Sequence, residues 1–150
     1  MRVSVKATYG ILAALDLALQ NGSAPIQAKA IARRQAIPVR FLEQVLHTMK
    51  KAGIVVSLRG VHGGYVLNKQ PGEISLAEIV EALDGPLTPV HPRRTAPSLL
   101  NNNSNTDSVL TPVWERLRQA ELAVLNTATL TELVERHQQL EQKNAPMYHI

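Results

Sequence analysis

Apolar positions in the first fifty residues recur at helical spacing. Ser4 heads a stretch in which Ala7, Ile11, Leu15, Ala18 and Leu19 return at three- and four-residue steps, which predicts an amphipathic helix over residues 4–20. Asn21-Gly22-Ser23 stops it. Pro25 suits the first turn of a second, short helix with Ala28, Ile31 and Ala32 on its apolar face. After Gln35-Ala36-Ile37, Pro38 opens a third helix carrying Phe41, Leu42, Val45, Leu46 and Met49 on one stripe. Ala52-Gly53 ends it, with Lys50 and Lys51 in the last turn, where cations suit the negative end of the helix dipole.

The period then changes. Ile54 to Leu58 is a β-prone run, Arg59-Gly60-Val61-His62-Gly63-Gly64 is a glycine-rich connection, and Tyr65-Val66-Leu67 resumes strand character. Two such runs around a glycine-rich link predict a hairpin. Pro71-Gly72 marks a turn. Ser75-Leu76-Ala77-Glu78 has the spacing of a capping box, in front of Leu76, Ile79, Val80 and Leu83, and Gly85-Pro86 ends that helix. Residues 86–108 are rich in proline and asparagine and have no apolar period, so they predict a long, flexible loop. A long helix is expected from about Thr111, with Leu110, Val113, Trp114, Leu117, Ala120 and Val124 as its apolar positions. Thr129-Leu130-Thr131-Glu132 then offers a second capping box, opening a helix through Leu133, Val134 and Leu140. A frayed tail is expected from Asn144.

Helix, short helix, turn, helix, hairpin, helix is the order of a winged helix-turn-helix. The expected fold is therefore mainly α with a small β-hairpin. A DNA-binding domain over 1–85 precedes the loop 86–108, dimerisation helices over 109–143 and a tail over 144–150.

Charge sharpens this picture. Residues 1–75 hold ten Lys and Arg against three acids, whereas residues 76–150 hold six against nine. The first half thus has the balance of a surface for a polyanion. With no cysteine, thiol catalysis, disulfides and cysteine-ligated metal are excluded. No apolar run approaches the ~18–20 residues of a membrane span, so a cytoplasmic protein is expected, with no membrane partner. His47, His62, His91, His137 and His149 are scattered without metal-ligand spacing, and neither a phosphate-binding loop nor a nucleophile elbow is present. No cofactor and no enzymatic activity are expected.

The chemistry falls on the third helix and the hairpin. The stripe of Leu42 and its neighbours leaves Val39, Arg40, Glu43, Gln44, His47 and Lys50 outward. In a recognition helix such residues reach base edges: Arg40 can fork onto guanine, Gln44 can pair with adenine, and Glu43 can accept from cytosine. Arg59 and Gly60 lie at the hairpin tip, where glycine permits close backbone approach and a guanidinium can enter a narrow minor groove. Arg2, Lys6, Lys50 and Lys51 are candidates for phosphate contacts. Tyr9 is open between a phosphate contact and the edge of the core. Arg33 and Arg34 are open between the DNA backbone and a plain surface role.

Phe41-Leu42-Glu43-Gln44, Leu46, Lys50, Gly53-Ile54-Val55 and Arg59-Gly60-Val61-His62-Gly63-Gly64-Tyr65 together resemble the Rrf-type winged-helix transcriptional regulators, the IscR-, NsrR- and CymR-like group. Ser4 to Gly10, Ile74 to Asp84, and Trp114 with Thr129-Leu130 add to the resemblance. It implies a homodimer on a pseudo-palindromic operator of double-stranded DNA, its long C-terminal helices crossing. It also implies that Glu43 tunes base selection and that Arg59 is the wing arginine. Many members hold an iron–sulfur cluster on three loop cysteines. Here Ser108 and Thr111 fall near two ligand positions and no cysteine exists, so a cluster of that kind is not expected. A small-molecule or protein effector is a possible partner. A winged-helix module acting through a partner protein stays open as the alternative.

Overall fold

The computed structural model describes residues 3–20, 24–87 and 105–145. Six helices and one hairpin follow in the order α1 (Val5–Leu19), α2 (Ala28–Gln35), α3 (Val39–Lys51), β1 (Val55–Leu58), β2 (Gly64–Leu67), α4 (Leu76–Asp84), α5 (Asn105–Thr127) and α6 (Leu130–Asn144).

The core is aliphatic. Ala7, Ala13, Ala14 and Leu17 of α1 meet Ile31 of α2, Leu42, Val45, Leu46 and Met49 of α3, and Ile79, Val80 and Leu83 of α4. Small residues on α1 let the helices approach closely. A Cβ on Gly10 would lie 2.2 Å from Leu83 Cδ1, so any larger residue there would displace the Leu83 side chain from this crossing. Ser4 caps α1 by accepting from the Ala7 N–H at 2.9 Å. It also donates its own N–H and hydroxyl to Asp84, which ties the start of α1 to the end of α4.

Between α2 and α3 the chain turns at Ala36, the only non-glycine among the described residues with positive φ (φ 54°). Left-handed backbone disfavours a Cβ. Here it lets the N–H of Ile37 reach the Ala32 carbonyl at 2.9 Å and buries the Ile37 side chain. This fixes the angle at which α3 leaves.

The wing is an antiparallel pair in the register Val55↔Leu67, Val56↔Val66, Ser57↔Tyr65 and Leu58↔Gly64. It is not free-standing. Ile26 and Tyr65 exchange backbone hydrogen bonds of 3.0 and 2.8 Å, so the chain before α2 acts as a one-residue third strand. One glycine serves the turn of the hairpin and the next one serves this tie. A Cβ on Gly63 would lie 2.3 Å from the Leu58 carbonyl oxygen, and one on Gly64 (φ +151°) would lie 2.5 Å from the Ile26 backbone.

Several boundaries differ from the sequence expectation. The second helix starts at Ala28, not in the turn of Pro25, because Ile26 is held extended by Tyr65. The long helix starts at Asn105 and contains Pro112, so residues 105–108 belong to it and not to the loop. Proline lacks only the one N–H, and the helix continues on either side of it. Asn144, expected in the tail, closes α6. Pro71-Gly72 form a short 3₁₀ turn with Glu73, and there Gln70 and Glu73 complete a reciprocal cap. At Ser75 only half of the expected box forms. Ser75 Oγ accepts from the Glu78 N–H at 3.2 Å, but the Glu78 carboxylate accepts from Lys69 Nζ at 2.7 Å. The expected flexibility of 86–108 and the tail after Ala145 fall largely outside the described residues.

The α5–α6 junction is stitched to the domain. The Leu76 N–H donates to the Ala128 carbonyl at 2.9 Å, and the Leu130 N–H donates to Ile74 at 3.0 Å. Leu130 is wholly buried, and Leu133 and Val134 pack on the core, so α6 lies on α1 of its own chain.

Replacement of Gly64 by alanine sets a Cβ against the Ile26 backbone in a strained conformation. Gly64→Ala is expected to lower unfolding stability by about 1–3 kcal/mol, measured by chemical denaturation. A loss below about 0.5 kcal/mol would show that the wing tether is not as close as described.

Candidate nucleic-acid interface

The outer face of α3 follows from its inner one. With Leu42, Val45, Leu46 and Met49 buried, Arg40, Glu43, Gln44, His47 and Lys50 are all exposed. Val39 and Lys51 are exposed as well. Thr48 turns its hydroxyl back to the Gln44 carbonyl at 3.1 Å and so leaves the outward row to longer side chains. Because α3 packs against α1, α2, α4 and β1, it is held from several sides while this face stays open.

The wing presents its tip likewise. Arg59, Gly60, Val61 and His62 are exposed, and the turn is closed by the Gly63 N–H donating to the Gly60 carbonyl at 2.9 Å. Gly60 has φ +113° and open space around a hypothetical Cβ, so its need for glycine is conformational rather than steric. Lys29 and Arg33 of α2 are exposed, and Lys6 of α1 is half-buried. Arg2 lies outside the described residues.

Two expectations sharpen. The Tyr9 ring packs edge-on against Phe41, with ring centres 5.4 Å apart at 81°, so its ring belongs to the edge of the core. Arg34 is engaged within the domain. Its Nε and Nη2 donate to Asp16 Oδ1 and Oδ2 at 2.9 and 2.7 Å, while Gln35 Nε2 donates to Oδ1 at 3.1 Å. Asp16 is 2% exposed, and burying a carboxylate is costly unless its oxygens are hydrogen-bonded, which these three donors accomplish. The hydrogen bond that Arg34 donates to Asp16 raises the pKa of the guanidinium. The pair fastens α1 to α2. The signal for it in the sequence was an acid between Leu15 and Leu17, on the side of α1 that also carries Ala13.

The expected dimerisation residues behave as one face. Val113 is 51% exposed, Leu117 50% and Val124 66%; Leu110 and Ala120 are also exposed, and Trp114 is half-buried. Beside them Arg118 donates to Glu115 at 2.8 Å, which holds the Glu115 carboxyl down to about 2 with help from Gln119. Among the described residues no three His, Cys, Asp or Glu side chains converge as metal ligands, and no helix is long and apolar enough to cross a membrane.

The sequence model of the Rrf2 family, described as iron-dependent transcriptional regulator, matches residues 3–136. The chain belongs to the Rrf2 family. Like its family, it is a winged helix-turn-helix, DNA-binding transcriptional regulator and not an enzyme. The Rrf2 relatives span nearly its whole length. The protein slr0846 of Synechocystis sp. is 41% identical over 89% of this chain and 87% of its own. The HTH-type transcriptional regulator CymR of Bacillus subtilis is 34% identical over 89% of each. Among structures, CymR of B. subtilis, the "Global Cysteine Regulator", superposes with a TM-score of 0.76 over 91% of this chain and 98% of that one, at 32% identity. The T. potens IscR structure gives 0.73 over 99% and 97%, also at 32% identity. Iron dependence in the family description meets a donor set here that contains no thiolate.

Since Arg40, Glu43, Gln44 and Arg59 face solvent, each alanine variant is expected to unfold within about 0.5 kcal/mol of the parent in urea titrations. A loss above about 1 kcal/mol at any of them would give that side chain a structural role.

Proposed function

We propose that two copies pair along α5 and act together on a pseudo-palindromic DNA operator, without an iron–sulfur cluster. The observation that carries this reading is the uncovered stripe of Leu110, Val113, Leu117, Ala120 and Val124. Other long apolar stripes of the chain are spent on its own core, and one that stays exposed on a helix of 23 residues favours a self-complementary contact. Related by a two-fold axis, two chains present two α3 helices and two wings to successive turns of a duplex.

In this reading Arg40, Glu43 and Gln44 read base edges in the major groove. Arg59 enters the flanking minor groove, with Gly60 letting the backbone come close. Lys6, Lys50, Lys51 and Arg2 hold phosphates. The absence of cysteine supports regulation without a thiolate-bound cluster, so iron dependence is not carried over from the family. A small-molecule or protein effector then takes the place of the cluster as the signal.

The defining experiment is selection of genomic DNA fragments by the purified protein, followed by affinity titration against salt. Log–log plots are expected to be linear, with a slope of about −0.9 per phosphate neutralised. Arg59→Ala is expected to cost about 1–3 kcal/mol of operator affinity; unchanged affinity would remove Arg59 from the interface. Leu117→Glu places a charge in the middle of the α5 stripe and is expected to yield a folded monomer by analytical ultracentrifugation. A dimer surviving that change would move the pairing surface elsewhere. A steep preference for a protein partner with no selected DNA would favour the interaction-module alternative.

A further inference from the structure

The outward row of α3 carries one side chain that can neither donate nor accept a hydrogen bond. Val39, the first residue of the helix, is 37% exposed. Its neighbours two positions away behave otherwise: Ile37 is buried, and Phe41 is partly buried against the core. Val39 belongs to neither group. Leu42, Val45, Leu46 and Met49 are all enclosed, so Val39 is not part of an apolar strip along the helix. Around it stand Arg40, Glu43 and Gln44, all exposed. A protein docking here by apolar contact would meet a single isopropyl group among charged and polar ones.

Position gives this isolated side chain its meaning. Residues at the N-terminal end of a recognition helix reach base edges. Val39 and Glu43 are one helical step of four residues apart and share a face of α3. Along the helix axis they are separated by about 6 Å. Base pairs stack at about 3.4 Å, so the two side chains reach base pairs within about two steps of each other. Their chemistries complement one another on the pyrimidine edge. A carboxylate accepts from the cytosine N4 amine. The C5 methyl of thymine is the one apolar group that the major groove displays, and apolar side chains are what contact it.

We propose that Val39 is a specificity-determining residue that packs on the C5 methyl group of a thymine, close to the base read by Glu43. This rests on the reading of α3 as the helix that enters the major groove of an operator. A β-branched side chain suits the task, because valine in a helix holds one strongly preferred χ1 rotamer and loses little freedom on contact. Val39 thereby favours a T·A pair over a C·G pair without a hydrogen bond.

The test uses the full-length protein and the operator duplex that it selects from genomic fragments. Each thymine in turn is replaced by deoxyuridine, which removes the C5 methyl group and leaves every base-pairing hydrogen bond. Affinities are measured at one fixed salt concentration. For the parent, at least one thymine is expected to show about fourfold weaker binding on losing its methyl group, the worth of one such group taken out of water. Val39→Ala is expected to bind the unmodified operator about fourfold more weakly and to be indifferent to that same deoxyuridine, while the free protein melts near the parent's temperature. A merely structural role for Val39 would weaken both duplexes alike and leave the deoxyuridine penalty intact. No sensitive thymine, or a penalty that Val39→Ala leaves unchanged at every sensitive thymine, would overturn the proposal. Selection of no DNA at all is a distinct result, which removes the regulator reading and this proposal with it.

Discussion

Burial of one stripe of α3 governs what the rest of the structure is able to do. Leu42, Val45, Leu46 and Met49 are fully enclosed, and each is worth about 1.5–3 kcal/mol of transfer free energy. A helix held by four such side chains cannot roll about its axis without exposing them. The opposite row of Arg40, Glu43, Gln44, His47 and Lys50 is therefore presented at a fixed azimuth. The left-handed Ala36 sets where that helix begins, and Gly10 sets how near α4 comes to α1 beneath it. Positional accuracy at the surface is thus a product of close packing inside.

Periodicity made most of this architecture readable. The third helix, the hairpin and the helix after Ser75 fall where apolar spacing and turn residues put them, because each buries its stripe in one domain. What the pattern did not reveal are contacts between distant elements made by backbone or by charge. Nothing in Pro25-Ile26 announces pairing with Tyr65, since one extended residue carries no period. Pro25 as a helix opener was a reasonable local reading that a tertiary hydrogen-bond pair overrode. The start of α5 was missed for a different reason: Asn105 to Ser108 has no apolar stripe, and Pro112 normally marks a beginning rather than an interior position.

The outward residues of the interface were legible as the complement of the buried stripe, and they remain exposed in the structure. The role of Arg34 was not, because pairing with Asp16 spans eighteen residues and two helices. An acidic residue on an otherwise apolar helix face is the clue to such a pair, and the basic residue that answers it has to come from another element. An arginine counted as surface charge by composition is here paired with a buried acid, so one base fewer stands unpaired on the surface while the excess of bases over acids stays the same.

The backbone tie between Ile26 and Tyr65 has a consequence for how this protein can change. It is made by peptide groups, so the side chains at both positions can drift with little effect on the attachment. Proline at either site removes one of its two hydrogen bonds, and a Cβ at Gly64 crowds the Ile26 backbone. Substitutions can therefore retune the surface of the finger while its anchorage to the chain ahead of α2 stays in place.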